Sequence, residues 1–235
     1  MLREVSIETM DTPKKIFCNI FTSLIIIIAC LNGSVCAEPL NVDTVLAKVQ
    51  KGYNETKDFT ASFTQNATIK SMNKTVTEEG TLYLKKSMRM LWDYKKPALK
   101  KLVLNPQKAW LYMPDEKTVY IQDSQSLLSS KMVMRFFTGI GNLKDDFDAA
   151  FSTPDAVDEK GNYLVSLIPK RYESGIKQLI LSIDRDNYHI TGCKFTDMYE
   201  NTTELIFRDI TVNNNLPDTM FIFTPPPNVE AYHIP

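Results

Sequence analysis

Apolar residues recur along this chain with two periods, and the switch between them organises it. From Pro39 to Tyr53, Val42, Val45, Leu46 and Val49 fall three and four residues apart. That spacing predicts an amphipathic helix, which Asn41 or Asp43 can cap. From Phe59 the period drops to two: Phe59, Ala61 and Phe63 alternate with polar neighbours and predict a half-buried strand. Further strands are predicted at Gly80–Leu84 and Met88–Tyr94, joined through Lys85, Lys86 and Ser87, with Pro97 ending the second. Leu102–Leu104, Trp110–Met113 and Thr118–Ile121 continue a meander, with turns at Asn105–Pro106 and Pro114–Asp115.

The alternation then lapses. Leu127–Phe137 and Leu143–Phe151 are apolar without strict period two and are expected to be helical, around a Gly139–Ile140–Gly141 joint. Strands resume at Tyr163–Ile168, Gln178–Ile183, Ile190–Phe195, Glu204–Ile210 and Met220–Phe223, and Pro225–Pro227 stops the last. The predicted class is mostly β with a helical insertion (α+β): a curled antiparallel sheet, or half-barrel, of about ten strands, with an interior either filled or hollow.

The N-terminus carries a different signal. Lys14 and Lys15 precede an apolar run from Ile20 to Leu31, and Gly33-Ser34-Val35-Cys36-Ala37 follows, with small residues suited to cleavage after Ala37. The run is shorter than the roughly 20 residues that a spanning helix needs. Residues 1–37 are therefore expected to be a secretory signal peptide and 38–235 the mature domain. Glu4, Glu8 and Asp11 are unusual ahead of the lysines, which suggests Met10 as the start. Ile27-Ile28-Ala29-Cys30 loosely resembles a bacterial lipidation box but lacks its usual Leu. Cleavage after Ala37 removes Cys18, Cys30 and Cys36, so a domain expected outside the cytoplasm keeps only Cys193 and must rely on its core.

Composition narrows the functional classes. The 27 Lys and Arg against 28 Asp and Glu offer no basic surface for nucleic acid. No Ser elbow, zinc pattern or phosphate-cradling Gly loop appears, so neither an enzyme nor a cofactor site is expected, and no metal ligands are assigned. His189 reads as a turn residue, Asp145/Asp146 and Asp184/Asp186 as caps, and Cys193 as a packed core thiol. What the chain has in excess is large apolar side chains in strands, Met among them; these serve either an ordinary core or a cavity for a greasy ligand of variable shape.

Four segments, in order, resemble the LolA family of periplasmic lipoprotein carriers. They are Phe59-Thr-Ala-Ser-Phe-Thr-Gln65; Gly80-Thr-Leu-Tyr-Leu-Lys-Lys86 with Met90-Leu-Trp92-Asp-Tyr94-Lys-Lys-Pro97; Leu102-Val-Leu followed by Trp110-Leu-Tyr112-Met-Pro114; and Phe221-Ile-Phe223-Thr-Pro225-Pro226. The resemblance implies a half-closed antiparallel barrel with a helical lid over a cavity for lipoprotein acyl chains. It implies cargo accepted from an inner-membrane lipoprotein-releasing transporter and delivered to an outer-membrane receptor, by a protein expected to be monomeric. The residues expected to face inward are Phe63, Leu82, Leu84, Met90, Trp92, Leu102, Leu104, Trp110, Tyr112, Phe195 and Phe207, with Met132, Phe136 and Phe137 in the lid. The family's Arg before Pro, expected to pin the lid, is replaced here by Lys86-Ser87, which leaves Lys86 and Arg89 as latch candidates. The alternative on the same sheet is a periplasmic regulator that senses a lipid or protein.

Overall fold

A computed structural model describes residues 41–126, 143–171 and 175–234. Helix α1 (Val42–Glu55) forms as predicted. Asn41 Oδ1 accepts the Asp43 N–H at 2.8 Å, and Thr56 closes the other end, its N–H and hydroxyl both donating to the Gly52 carbonyl. Its buried face is Val45, Leu46 and Val49.

The rest is one twelve-stranded sheet in the order β12-β6-β5-β4-β3-β2-β1-β11-β10-β9-β8-β7. The chain steps outward through β1 (Asp58–Ile69), β2 (Lys74–Lys85), β3 (Arg89–Lys96), β4 (Lys100–Leu104), β5 (Lys108–Met113) and β6 (Thr118–Asp123), each antiparallel to the last. It then crosses to the opposite edge and walks back through β7 (Phe147–Phe151), β8 (Tyr163–Pro169), β9 (Ile176–Ile183), β10 (Ile190–Asp197) and β11 (Thr202–Val212). β11 pairs with β1. Finally β12 (Glu230–His233) adds parallel to β6. The sheet is curled and open, with β7 and β12 as its unpaired edges.

Ten of these strands match the sequence expectation, and the differences have physical causes. Leu143–Phe151 is not a helix: one helical turn (Leu143–Asp146) leads straight into β7, where Phe147, Ala149 and Phe151 turn inward and Asp148 and Ala150 are exposed. This is a period-two pattern that the neighbouring apolar residues hide. Met220–Phe223 is not a strand either. Pro217 leads into a 3₁₀ turn, Asp218–Phe221, that plants one side chain rather than a row. β12 lies beyond the three prolines, and Leu127–Phe137 falls outside the described residues.

The sheet has two apolar faces. The inner face carries α1, over a core running from β4 across to β7 that includes Leu82, Met90, Leu104, Val165, Leu181 and Leu205. The outer face, across β3 to β6, holds Leu91, Val103, Trp110, Val119 and Ile121, and the C-terminal segment from Leu216 to Val229 straps over it. Phe221 is the strap's anchor, at 0% exposure. The strap leaves β11 through Asn213, Asn214 and Asn215, two of them in left-handed backbone. Asp58 holds that pivot: its buried carboxylate accepts the N–H groups of Asn214 at 2.7 Å and Leu216 at 3.2 Å. Further along, Lys85 Nζ donates to the Leu216 carbonyl (2.6 Å) and Asp218 (2.5 Å), and Arg89 reaches Asp218 at 3.3 Å.

Two predictions concern the strap. Phe221→Ala removes a fully buried ring and is expected to cost about 3 kcal/mol of unfolding free energy in urea titrations, whereas Tyr199→Ala, at 84% exposure, should stay within about 0.5 kcal/mol. Equal effects would refute the anchoring role. The second concerns acid. The Lys85 hydrogen bond, aided by Arg89, holds the Asp218 carboxyl below the usual aspartate range. The folded state thus binds this proton more weakly than the unfolded chain. The contribution is complete at neutral pH and disappears as the pH falls through that lowered value, below about 4. Protease protection of the strap should drop on acidification from about pH 6 to about pH 2, and in Asp218→Asn it should be low throughout. Unchanged wild-type protection across that range would contradict the assignment.

Candidate functional site

Nine of the eleven residues predicted to face inward do so. Phe63, Leu82, Met90, Trp92, Leu104, Phe195 and Phe207 are buried in the inner core, and Leu84 and Leu102 pack against it half-buried. Trp110 and Tyr112 do not join them. The pairing of Val103 with Trp110 and Lys101 with Tyr112 turns both rings to the outer face. There they meet Phe223 of the strap at 6.4 and 5.2 Å between ring centroids. The inward positions of β5 belong instead to smaller Ala109 and to Leu111.

The middle of the inner face is filled. The Phe63 ring meets Trp92 (4.8 Å, 73°) and Tyr94 (5.0 Å, 83°) edge-on, a favoured aromatic geometry. Gly80, opposite Phe63 on β2, makes this possible. A Cβ there would lie 2.9 Å from the Phe63 ring and 2.3 Å from the Asp93 carbonyl oxygen. Beyond the rings a polar network seals the far end. Tyr94 donates to Gln65 (3.2 Å), Gln65 to Glu78 (2.9 Å), and Lys100 bonds Glu78 at 2.7 Å while sitting over the Tyr94 ring. Burial, then the Glu78 charge, pushes the Tyr94 phenol up, so it stays a neutral donor. The residues Phe63, Gln65, Gly80, Trp92 and Tyr94, picked out above as motif positions, therefore build one plug.

On the near side of the plug the core opens. A cavity of about 390 Å³ lies between the last turns of α1 and the sheet. Leu82, Leu84, Phe59, Phe207 and Val212 form its floor and Val49 its roof. Met88 and Ile190 complete the walls. Of the predicted set only Leu82, Leu84 and Phe207 line it; Phe63, Met90, Trp92, Leu102, Leu104 and Phe195 belong to the packed core beside it. The lining residues that sequence reasoning missed come from α1, from the β9–β10 turn, where Tyr188 and His189 sit, and from the strands and the β2–β3 turn, among them Phe59, Met88, Ile190 and Val212. The one sequence signal for the helical part was Tyr53, four residues after Val49 on the same face. Burial raises the Tyr53 phenol to about 12.

Among the described residues Lys86 and Arg89 engage different partners, and the lid they were expected to latch lies outside those residues. Lys86 Nζ donates to the Asn54 carbonyl, clasping the C-terminal end of α1 to the β2–β3 turn. Arg89 points to the outer face and the strap. Met132, Phe136 and Phe137 lie outside the described residues. Cys193 is a buried free thiol that burial, then Glu204, holds in the protonated form. Asp184 caps its turn by accepting the Asp186 and Asn187 N–H groups. Among the described residues no group of three or more His, Cys, Asp or Glu side chains could hold a metal ion, and no helix is long and apolar enough to cross a membrane.

The comparisons with known proteins agree with this architecture. The sequence model described as outer membrane lipoprotein carrier protein LolA matches residues 54–224. The outer-membrane lipoprotein carrier protein of Methylococcus capsulatus is 24% identical over 189 residues, covering 80% of this chain and 88% of that protein. The protein of the same description from Hahella chejuensis is 28% identical over 175 residues, covering 74% and 80%. An uncharacterized conserved protein from Thermus thermophilus superposes with a TM-score of 0.53 at 11% identity, covering 82% of this chain and 98% of its own, a likeness of fold. With the family match spanning the plug and the sheet side of the cavity, and most of the chain, the chain belongs to the LolA family.

Proposed function

We propose that this protein is a periplasmic carrier that holds the acyl chains of lipoproteins in its inner cavity and ferries them from the inner to the outer membrane. The observation that carries the reading is the cavity itself: an apolar pocket between α1 and the sheet, beside the packed aromatic plug, in a chain of this family. Nothing in the site calls for bond-making chemistry. The task is transfer of insoluble chains, each buried methylene being worth about 0.8 kcal/mol. Residues 1–37 are the export signal in this reading. An inner-membrane lipoprotein-releasing transporter loads the monomer and an outer-membrane receptor unloads it. Phe59, Leu82, Leu84, Met88, Ile190 and Phe207 touch the acyl chains, and the residues of the plug set the depth to which they reach.

The test is release of a triacylated lipoprotein from proteoliposomes containing the transporter. The mature protein should bring cargo into solution as a one-to-one complex. Leu84→Glu places a charge in the throat at a half-buried position. It should weaken binding of a fluorescent acyl probe by at least about tenfold while the urea midpoint moves little. Undiminished probe binding in that variant, or no soluble complex with the wild type, would sink the proposal.

A further inference from the structure

The cavity's mouth is charged unevenly. Lys57, Lys85, Lys86 and His189 line it, and Asp58 is the one carboxylate among the described lining residues. Asp58 is not available to a ligand: it is buried, and both oxygens accept strap N–H groups. Lys85 is turned to the strap, where it bonds the Leu216 carbonyl and shares Asp218 with Arg89. That leaves two ammonium groups. Lys86 gives one hydrogen to the Asn54 carbonyl, an uncharged acceptor, and keeps its charge and two donors. Lys57 is exposed, and its side chain engages nothing among the described residues, while its backbone N–H is fixed by Asn213 Oδ1 at 2.7 Å. The C-terminal end of the α1 dipole offsets about half a charge, so the mouth remains positive.

Size adds a second constraint. At about 390 Å³ the cavity lies at the small end of ligand pockets, which run from roughly 300 to 1,000 Å³, and suits one chain rather than several. An apolar throat for one chain beneath two cations fits one class of molecule. We propose that the mouth is an anion-recognition subsite, and that the closed cavity takes a single-chain amphiphile bearing a carboxylate or phosphate head, its chain in the throat and its head between Lys57 and Lys86. The proposal rests on the acyl-cavity reading above and adds the headgroup preference to it.

Displacement of a fluorescent acyl probe tests it, at low salt and below the micelle concentrations of the competitors. The competitors share one chain: dodecanoate, dodecyl phosphate, dodecanol and dodecyltrimethylammonium. At least one of the two anions should bind about tenfold more tightly than dodecanol, and the cation most weakly. The preference should shrink about threefold in Lys57→Gln and vanish in Lys57→Gln/Lys86→Gln, with dodecanol affinity unchanged in Lys57→Gln, which disturbs no structural contact. A gain for dodecanoate alone supports the subsite and identifies a long-chain carboxylate; a gain for dodecyl phosphate alone supports it and identifies a phospholipid-derived ligand. Equal binding of all four by the wild type would overturn the subsite and leave the acyl cavity standing. Failure of every competitor, dodecanol included, would overturn both.

Discussion

Burial on both faces is the constraint on which the rest of this structure depends. In β3, Met90, Trp92 and Tyr94 point inward while Leu91, between them, points outward into a second core. A sheet that is apolar on both sides must be covered on both sides, and among the described residues α1 covers one face and the C-terminal strap the other. Adjacent residues on a strand point to opposite faces. Lys85 and Lys86 use that alternation: Lys85 ties the strap at Leu216 and Asp218, and Lys86 ties α1 at Asn54. The β2–β3 turn thereby touches both covers at once. Ser87 and Met88, next in the turn, both sit in left-handed backbone without being glycine, an arrangement that costs of order 1 kcal/mol each and persists because the flanking lysines and Arg89 fix the turn from either side. Met88 is delivered by it to the cavity wall.

The same two-sidedness decided what could be read from sequence. Alternation gave β1, where one face is polar, and the short apolar runs from Met88 and Leu102 gave β3 and β4 although Leu91 and Val103 face the outer core. In β5 both faces are apolar. Ala109-Trp110-Leu111-Tyr112 has no polar row to orient it, so size alone favours turning the larger rings inward. The face is fixed instead by partners far away, Phe221 and Phe223, whose own apolar pattern reads as a strand rather than as a strap. β7 is obscured in a similar way, its alternation masked by Ala149-Ala150 and an apolar lead-in.

The candidate site was legible as a face but not as a cavity. Phe63, Leu82, Met90, Trp92 and Phe207 share the inner side as their spacing requires, yet which of them pack tightly and which border space depends on where α1 ends. The last turns of α1, which ends at Glu55, stand over Phe59, Leu82 and Leu84, and no ring of the Phe63–Trp92–Tyr94 plug borders that space. The lining residues from the β9–β10 turn, Tyr188 and His189, lie about 135 positions from α1 in sequence, and the Lys48 ammonium, which donates to the Tyr188 hydroxyl at 2.9 Å and sits over its ring, joins the two elements. Sequence spacing carries no record of such a meeting.

The energetics favour α1 over the plug as the element that yields to larger cargo. Parting the plug would break three edge-on or stacked ring contacts and disrupt the half-buried Gln65–Glu78–Lys100 network. Lifting α1 exposes the side chains of Val45, Leu46 and Val49, about 5–9 kcal/mol of apolar burial, and releases Lys86 and Lys48 to water, where exposed pairs are worth little. One further acyl chain of a dozen methylenes returns about 10 kcal/mol to the same surface. The two quantities are close. In the carrier reading proposed above, that near-balance lets a bound chain displace the helix and lets the helix reseat when the chain leaves, as reversible loading requires.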